Sequence, residues 1–255
     1  MDDLFGIKPV SEAFDKITSA TIDSAKSFLN SVCKPALEEF GLIIADKIRY
    51  WRYCNISNML VKAKGKIEFA NGELSLCANP KVAMNIMDNS SLEEDETLQD
   101  MWAGLFASAC TEDGKDDSNM IYVDMLKRLN RVEAKILQYS CSHAPIYLFA
   151  NGLIMGAKFL VPFDKIVSIA GTSDKYIIDG SLDHLIKIGL LRSDDFDLVS
   201  GFMATDNDLQ AGISPSALGL SLFYKASASP LSLLDFYKNQ LIDYKNDDGV
   251  QGSVK

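Results

Sequence analysis

Four consecutive acids, Glu93-Glu94-Asp95-Glu96, are the densest set of chemically able groups in the chain. Carboxylates this close can share a divalent cation, as paired acids do in metal-dependent nucleases. The same acids at a helix start have a plainer use, because the helix dipole favours negative charge in its first turn. The surrounding residues favour the plainer use. Ser91 and Glu94 hold capping-box spacing. Leu98, Met101, Trp102, Leu105, Phe106 and Ala109 then follow at three- and four-residue steps, the pattern of a core helix. Ala103, Gly104, Ala107 and Ser108 are small and let a neighbouring helix approach closely.

Other chemistry is thinner. His143 and His184 are the two histidines, too few for a clustered metal site. Asp183 and His184 are adjacent in sequence, which alone makes no catalytic dyad. No G-x-S-x-G elbow occurs. Residues 152–158, GLIMGAK, lack the Gly-Lys-Ser/Thr end of a phosphate loop and lie in an apolar run. Cys33, Cys54, Cys77, Cys110 and Cys141 are widely spaced, odd in number and without a C-x-x-C. They read as reduced, mostly buried thiols of a cytoplasmic protein. The expectation is a non-enzymatic chain with no catalytic residue, metal or cofactor.

At 255 residues there is room for one large or two small domains with ample core. A hydrophobic content of 47% and a charged content of 24% are ordinary for a globular protein. The net charge of −10 disfavours a general nucleic-acid surface, which needs clustered Lys and Arg. The beginning, MDDLFGIKP, lacks a basic stretch followed by an apolar core, so no signal peptide is expected. Residues 144–162 approach membrane-spanning length, but Pro145, Asn151, Gly152, Gly156 and Lys158 interrupt them, so no membrane contact is expected.

The elements that position these residues are mainly helical. Phe14, Ile17, Ile22, Ala25, Phe28 and Leu29 predict an amphipathic helix over 10–32. A long helix is expected over 36–64, with Leu37, Phe40, Ile44, Ile48 and Trp51 inward. Asp46, Arg49, Arg52 and Asn55 form a polar ribbon beside them. Residues 66–77, KIEFANGELSLC, alternate around Asn71-Gly72 and predict a short β-hairpin. Pro80 opens a helix over 81–87, and the helix from Ser91 follows. Residues 111–118, TEDGKDDS, are the clearest polar break.

Beyond that break lie short helices over 132–140 and 163–170, the latter ended by Gly171. A third, capped by Thr172-Ser173-Asp174, carries Ile177, Ile178, Leu182, Leu185, Ile186 and Ile188, and Gly180 divides it into two pieces. An extended stretch at Leu190-Leu191-Arg192, a polar loop and a closing helix after Ser214-Pro215 complete the order. That order resembles a winged-helix module. The fold expectation is therefore mainly α: a helical bundle over 1–128, a winged-helix-like α+β module over 129–245 and a frayed tail over 246–255. Such modules lay the third helix in the DNA major groove, and Lys175, Tyr176, His184 and Lys187 are its candidate DNA or partner contacts. Asp174, Asp179 and Asp183 on that helix, with the acids of the following loop, repel phosphate. A protein partner is the better expectation, with DNA as the alternative and a membrane-directed effector last.

The chain also resembles the abortive infection alpha family. Gly41, Leu42 and Asp46 followed by Arg52 and Asn55 match an early G-L-x-x-x-D…R-x-x-N pattern. Ser91, Leu92, Glu93, Glu94, Asp95, Leu98, Gln99, Trp102, Ala103 and Leu105 match a later S-L-E-E-D…L-Q-x-x-W-A-x-L motif. The likeness extends over about residues 35–225. It departs at Gly104-Leu105-Phe106, where the family more often carries Asn-Leu-Leu. The resemblance implies bacterial anti-phage defence without established catalytic residues. Asp46, Arg52, Asn55, Ser91, Glu93, Glu94 and Trp102 are read as structural. Arg52 is expected to reach the Glu93/Glu94 helix start in an ion pair with several hydrogen bonds, costly to break if buried.

Overall fold

Apolar residues at helical steps organise the first half of the chain, and they persist further than the alternation at 66–77 suggests. The structure is a computed structural model that describes residues 19–33, 47–71, 76–193, 202–205 and 208–243. It is mainly helical, with short strands in three small sheets. Two compact units divide it: Met1–Lys135 with Ser221–Ser232, and Ile136–Leu220 with Leu233–Lys255.

In the first unit, α1 spans Ser19–Val32 and α2 spans Lys47–Asn71. Ala25, Phe28 and Leu29 of α1 are buried, the inward face expected of it, and Val32 joins them. Residues 34–46, including Asp46, and the helix expected over 10–18 lie outside the described residues. The hairpin is corrected: residues 66–71 continue α2. Ile56, Leu60, Ala63 and Ile67 are buried at steps of four and three, so helical packing overrides the local alternation.

Strand β1, Cys77–Ala78, pairs antiparallel with β2, Cys110–Thr111. Helix α3, Pro80–Ser90, starts with proline in its first turn and Asn79 as N-cap, where a missing N–H costs nothing. Helix α4 runs Glu96–Ser108 and buries Leu98, Met101, Trp102, Leu105 and Phe106 against α2 and α3. The Phe28 and Phe106 rings meet at 5.8 Å. Helix α5, Met120–Leu126, follows.

Helix α6, Arg131–His143, carries the chain from the first unit into the second. Strands β3, Ile146–Leu148, β4, Ile154–Gly156, and β5, Phe159–Pro162, come next. They occupy the apolar stretch 144–162; among the described residues no helix is long and apolar enough to cross a membrane. Helix α7 spans Phe163–Ala170 and stops at Gly171 in the left-handed region. Helix α8 spans Lys175–Lys187 without a break at Gly180, contrary to the two pieces expected. Strands β6, Phe202–Thr205, and β7, Asp208–Ile213, form an antiparallel hairpin that joins β5 in the order β5-β7-β6. Helix α9, Ala217–Ser227, returns the chain to the first unit. A four-residue turn of helix, α10, spans Leu233–Phe236, and β8, Leu241–Asp243, pairs parallel with β3. At the start of α9, a side chain on Gly219 would lie 2.2 Å from the Leu190 carbonyl oxygen, so only glycine permits that approach. The tail expected over 246–255 lies outside the described residues.

Candidate functional site

The motif residues gather where α2 passes the turn between α3 and α4. Arg52 donates from Nε to Ser91 Oγ at 2.8 Å and from Nη2 to Asp88 Oδ1 at 2.5 Å. Asn55 Nδ2 donates to the Ser91 carbonyl at 2.9 Å in a buried position. Ser91 Oγ donates to the Asp88 carbonyl at 2.6 Å. Arg52, Asn55 and Ser91 therefore meet, with Asp88 added. The expected ion pair of Arg52 with Glu93 or Glu94 is not formed; its carboxylate is Asp88. The Arg52 and Asp88 side chains are 32% and 74% exposed, so this pair contributes about 1 kcal/mol at most. The buried amide of Asn55 is the stronger tie, because a lost partner there leaves a carbonyl without water.

The capping box is also corrected. Ser91 terminates α3, and the N-cap of α4 is Asp95, whose Oδ1 accepts from Thr97 N at 2.9 Å and Leu98 N at 3.2 Å. Glu93 Oε1 accepts from the backbone N–H groups of Glu94, at 3.0 Å, and Asp95, at 2.9 Å. Burial raises the Glu93 carboxyl above its ordinary range, and those two N–H groups partly offset the rise. Glu94 accepts from the Trp51 indole N–H. Glu96 takes Lys62 at 2.6 Å, one helical turn before Lys66 meets Asp100 at 3.2 Å. The four acids thus turn to four separate sets of partners. Among the described residues no group of three or more His, Cys, Asp or Glu is placed to hold a metal ion.

Two motif side chains are interior. Trp102 is buried in the α4 core. Gln99 is also buried, and its Nε2 donates to the Ser90 carbonyl at 3.0 Å and the Glu93 carbonyl at 2.6 Å, pinning the turn to α4. Asp88 carries no signal in the sequence, and the motif names Asp95 and Gln99 without giving either a role. Asp95 had a readable signal: a carboxylate two and three residues before the N–H groups it caps. Gly104, where the motif departs from the family pattern, has a physical reason. A side chain there would lie 1.5 Å from the Ala226 carbonyl oxygen, so α9 lies directly on α4 at that point.

The second candidate set lies on α8. Asp174 Oδ1 caps it, accepting from Tyr176 N at 2.9 Å and Ile177 N at 3.4 Å. Tyr176 is 90% exposed and Ile177 is 49% exposed. Lys175 lies 5.5 Å over the Phe163 ring. Lys187 is exposed at the far end and His184 is half-buried between. Tyr176 and Ile177 are adjacent on the outer surface of the first turn; His184 is two turns away. Exposed Asp183 keeps the face mixed in sign.

The thiols have the character of packing groups. Cys33, Cys54, Cys110 and Cys141 are buried. Burial pushes the Cys110 thiol up to about 12, which leaves almost no thiolate at neutral pH.

Of known families, the one described as abortive infection alpha has a model that matches residues 61–215, more than half of the chain. The match contains the later motif at 91–105 and begins after the early one at 41–55. No curated protein and no solved structure matches the chain.

Proposed function

Since this chain belongs to the abortive infection alpha family, we propose that it is a non-enzymatic, cytoplasmic anti-phage protein of bacteria that acts by contacting another protein. The partner is a host, phage or defence-system component. In this reading the motif residues Arg52, Asn55, Ser91, Glu93, Glu94 and Trp102 are architectural, since the first five make hydrogen bonds within the α2–α3–α4 junction and Trp102 is buried in its core. Contact with the partner falls to the second unit. The order α6, β5, α7, α8 and the β6–β7 hairpin supports a winged-helix-like assignment for that unit.

The observation that carries the protein-contact reading is the exposed pair Tyr176 and Ile177 at the start of α8. An aromatic ring with a polar tip beside an aliphatic side chain suits a protein interface, where such residues supply most of the binding energy. The test is phage challenge of cells carrying the double variant Tyr176→Ala, Ile177→Asp. The expected outcome is loss of protection with unchanged melting of the purified protein. Full protection by the double variant sinks the reading.

Duplex DNA is the second reading, favoured by exposed Lys175 and Lys187 on the helix that winged-helix modules place in the major groove. Asp174, Asp179 and Asp183 on the same element weigh against it. Duplex binding that falls steeply with salt, and that Lys175→Ala and Lys187→Ala each weaken, moves the assignment to DNA.

A further inference from the structure

We infer that the first unit holds a binding site for a compact oxyanion, either phosphate or the phosphate group of a small monoester. The site is a cavity of about 260 Å3 near the ends of α2, α4 and α9. Its lining includes Lys66, Ser108, Tyr224, Lys225 and Ser229; no acidic side chain lines it, and Asp100 and Asp116 stand behind the two lysines. That is a local reversal of sign in a chain with 35 acids against 25 Lys and Arg. It is separate from the α8 surface, so the inference does not rest on the proposed partner contact.

The donor inventory points to an oxyanion. Lys66 and Lys225 bring two ammonium groups from two different helices, and an ammonium acts on phosphate as a compact point charge. Lys66 already donates to Asp100 at 3.2 Å, whereas Lys225 feels the charge of Asp116 without forming an ion pair with it, so Lys225 supplies the larger part of the attraction. Ser229 Oγ accepts from Leu231 N at 3.3 Å, which leaves its own hydroxyl proton to donate. Ser108 is already engaged, donating to the Leu105 carbonyl and accepting from Asn119 Nδ2. The Tyr224 hydroxyl donates to the Leu231 carbonyl and holds the rim in place.

Backbone geometry fixes the donor loop. Ala228 has φ of 51°, the left-handed region, and is the non-glycine residue with positive φ among those described. An alanine there is strained relative to an ordinary conformation. This strained turn carries Ser229 to the cavity wall directly after α9 ends. The carbonyl ends of α4 and α9 also lie near the site and lower its positive potential. The cavity is slightly below the usual range for drug-sized ligands, about 300–1,000 Å3. The expected ligand is therefore small, and its charge is matched to two lysines.

The test is titration calorimetry on the full chain with inorganic phosphate, glycerol phosphate, acetate and chloride at constant ionic strength. Saturable binding of phosphate or glycerol phosphate is expected, and which of the two binds more tightly identifies the source. Lys225→Gln should weaken it at least tenfold and Lys66→Gln by less. Lys165→Gln, in the other unit, should leave it unchanged. If Lys225→Gln does not fold, Ser229→Ala decides, with a several-fold loss expected. The inference is overturned by no saturable binding up to about 10 mM ligand, a weak-affinity limit of roughly 3 kcal/mol. Acetate binding as well as phosphate, or full affinity in the folded lysine or serine variant, also overturns it.

Discussion

Helices α4 and α8 begin with the same device and face opposite surroundings. Asp95 caps one and Asp174 the other, each accepting from two backbone N–H groups. Around the start of α4, Arg52, Trp51, Asn55 and Gln99 close in; Glu96 stays exposed, but Leu98 and Gln99, three and four residues after the cap, are buried. At the start of α8, Tyr176 and Ile177 face outward. A carboxylate at a helix start is therefore no evidence of a site in itself. What distinguishes the two is whether the next turn is enclosed by other elements or left to meet something else.

The largest expected effect tests how tightly α4 is enclosed. Gly104→Ala places a methyl group against the Ala226 carbonyl, and backbone must move to admit it. A loss of about 3 kcal/mol is expected, at the upper end for overpacking, read from urea unfolding. A loss below about 1 kcal/mol would mean that α9 shifts freely and that α4 is less enclosed than the geometry implies.

The two caps offer a direct contrast. Asp95→Ala and Asp174→Ala should each cost about 1 kcal/mol, the usual worth of an N-cap. Because Asp95 lies between Glu93 and the Gln99 turn, Asp95→Ala should also weaken protection of the 90–93 amides in hydrogen exchange. Asp174→Ala should disturb only the first turn of α8. Equal and local effects of both would remove the distinction between the helix starts.

The smallest effect concerns Glu93. Its folded-state pKa is raised, so the folded form disfavours the carboxylate. Its contribution to stability is fully present below the ordinary carboxylate pKa of about 4.3 and is lost as pH rises through the raised value. Glu93→Gln is neutral throughout. Relative to wild type, the variant should gain stability between about pH 4 and pH 7. Urea midpoints across that range check the sign; a variant that loses ground as pH rises would show the N–H bonds outweighing burial.

Legibility followed locality. Pro80 as a helix opener, Gly171 as a stop and Asp174 as a cap are decided by neighbours in sequence, and all three act in the structure as read. Ser91 and Asp95 both suit an N-cap, so neighbours in sequence do not decide which of them starts α4. The choice among them is made by Arg52 and Asn55, which arrive from α2. Residues 66–71 alternate like a strand, yet Ile67 also completes a helical series from Ile56, and burial favoured the helix. Small residues at 103–108 announced a close neighbour without naming it; Ala226 lies on a distant stretch of chain. The cavity of Lys66, Ser108 and Lys225 draws on three separated segments and has no linear signature.

The return of residues 221–232 to the first unit has a consequence for synthesis. A nascent chain that has exposed α1 to α5 from the ribosome still lacks the segment that covers Gly104. Translation that stops short of Ser221 should therefore leave the Gly104 face of α4 without its cover.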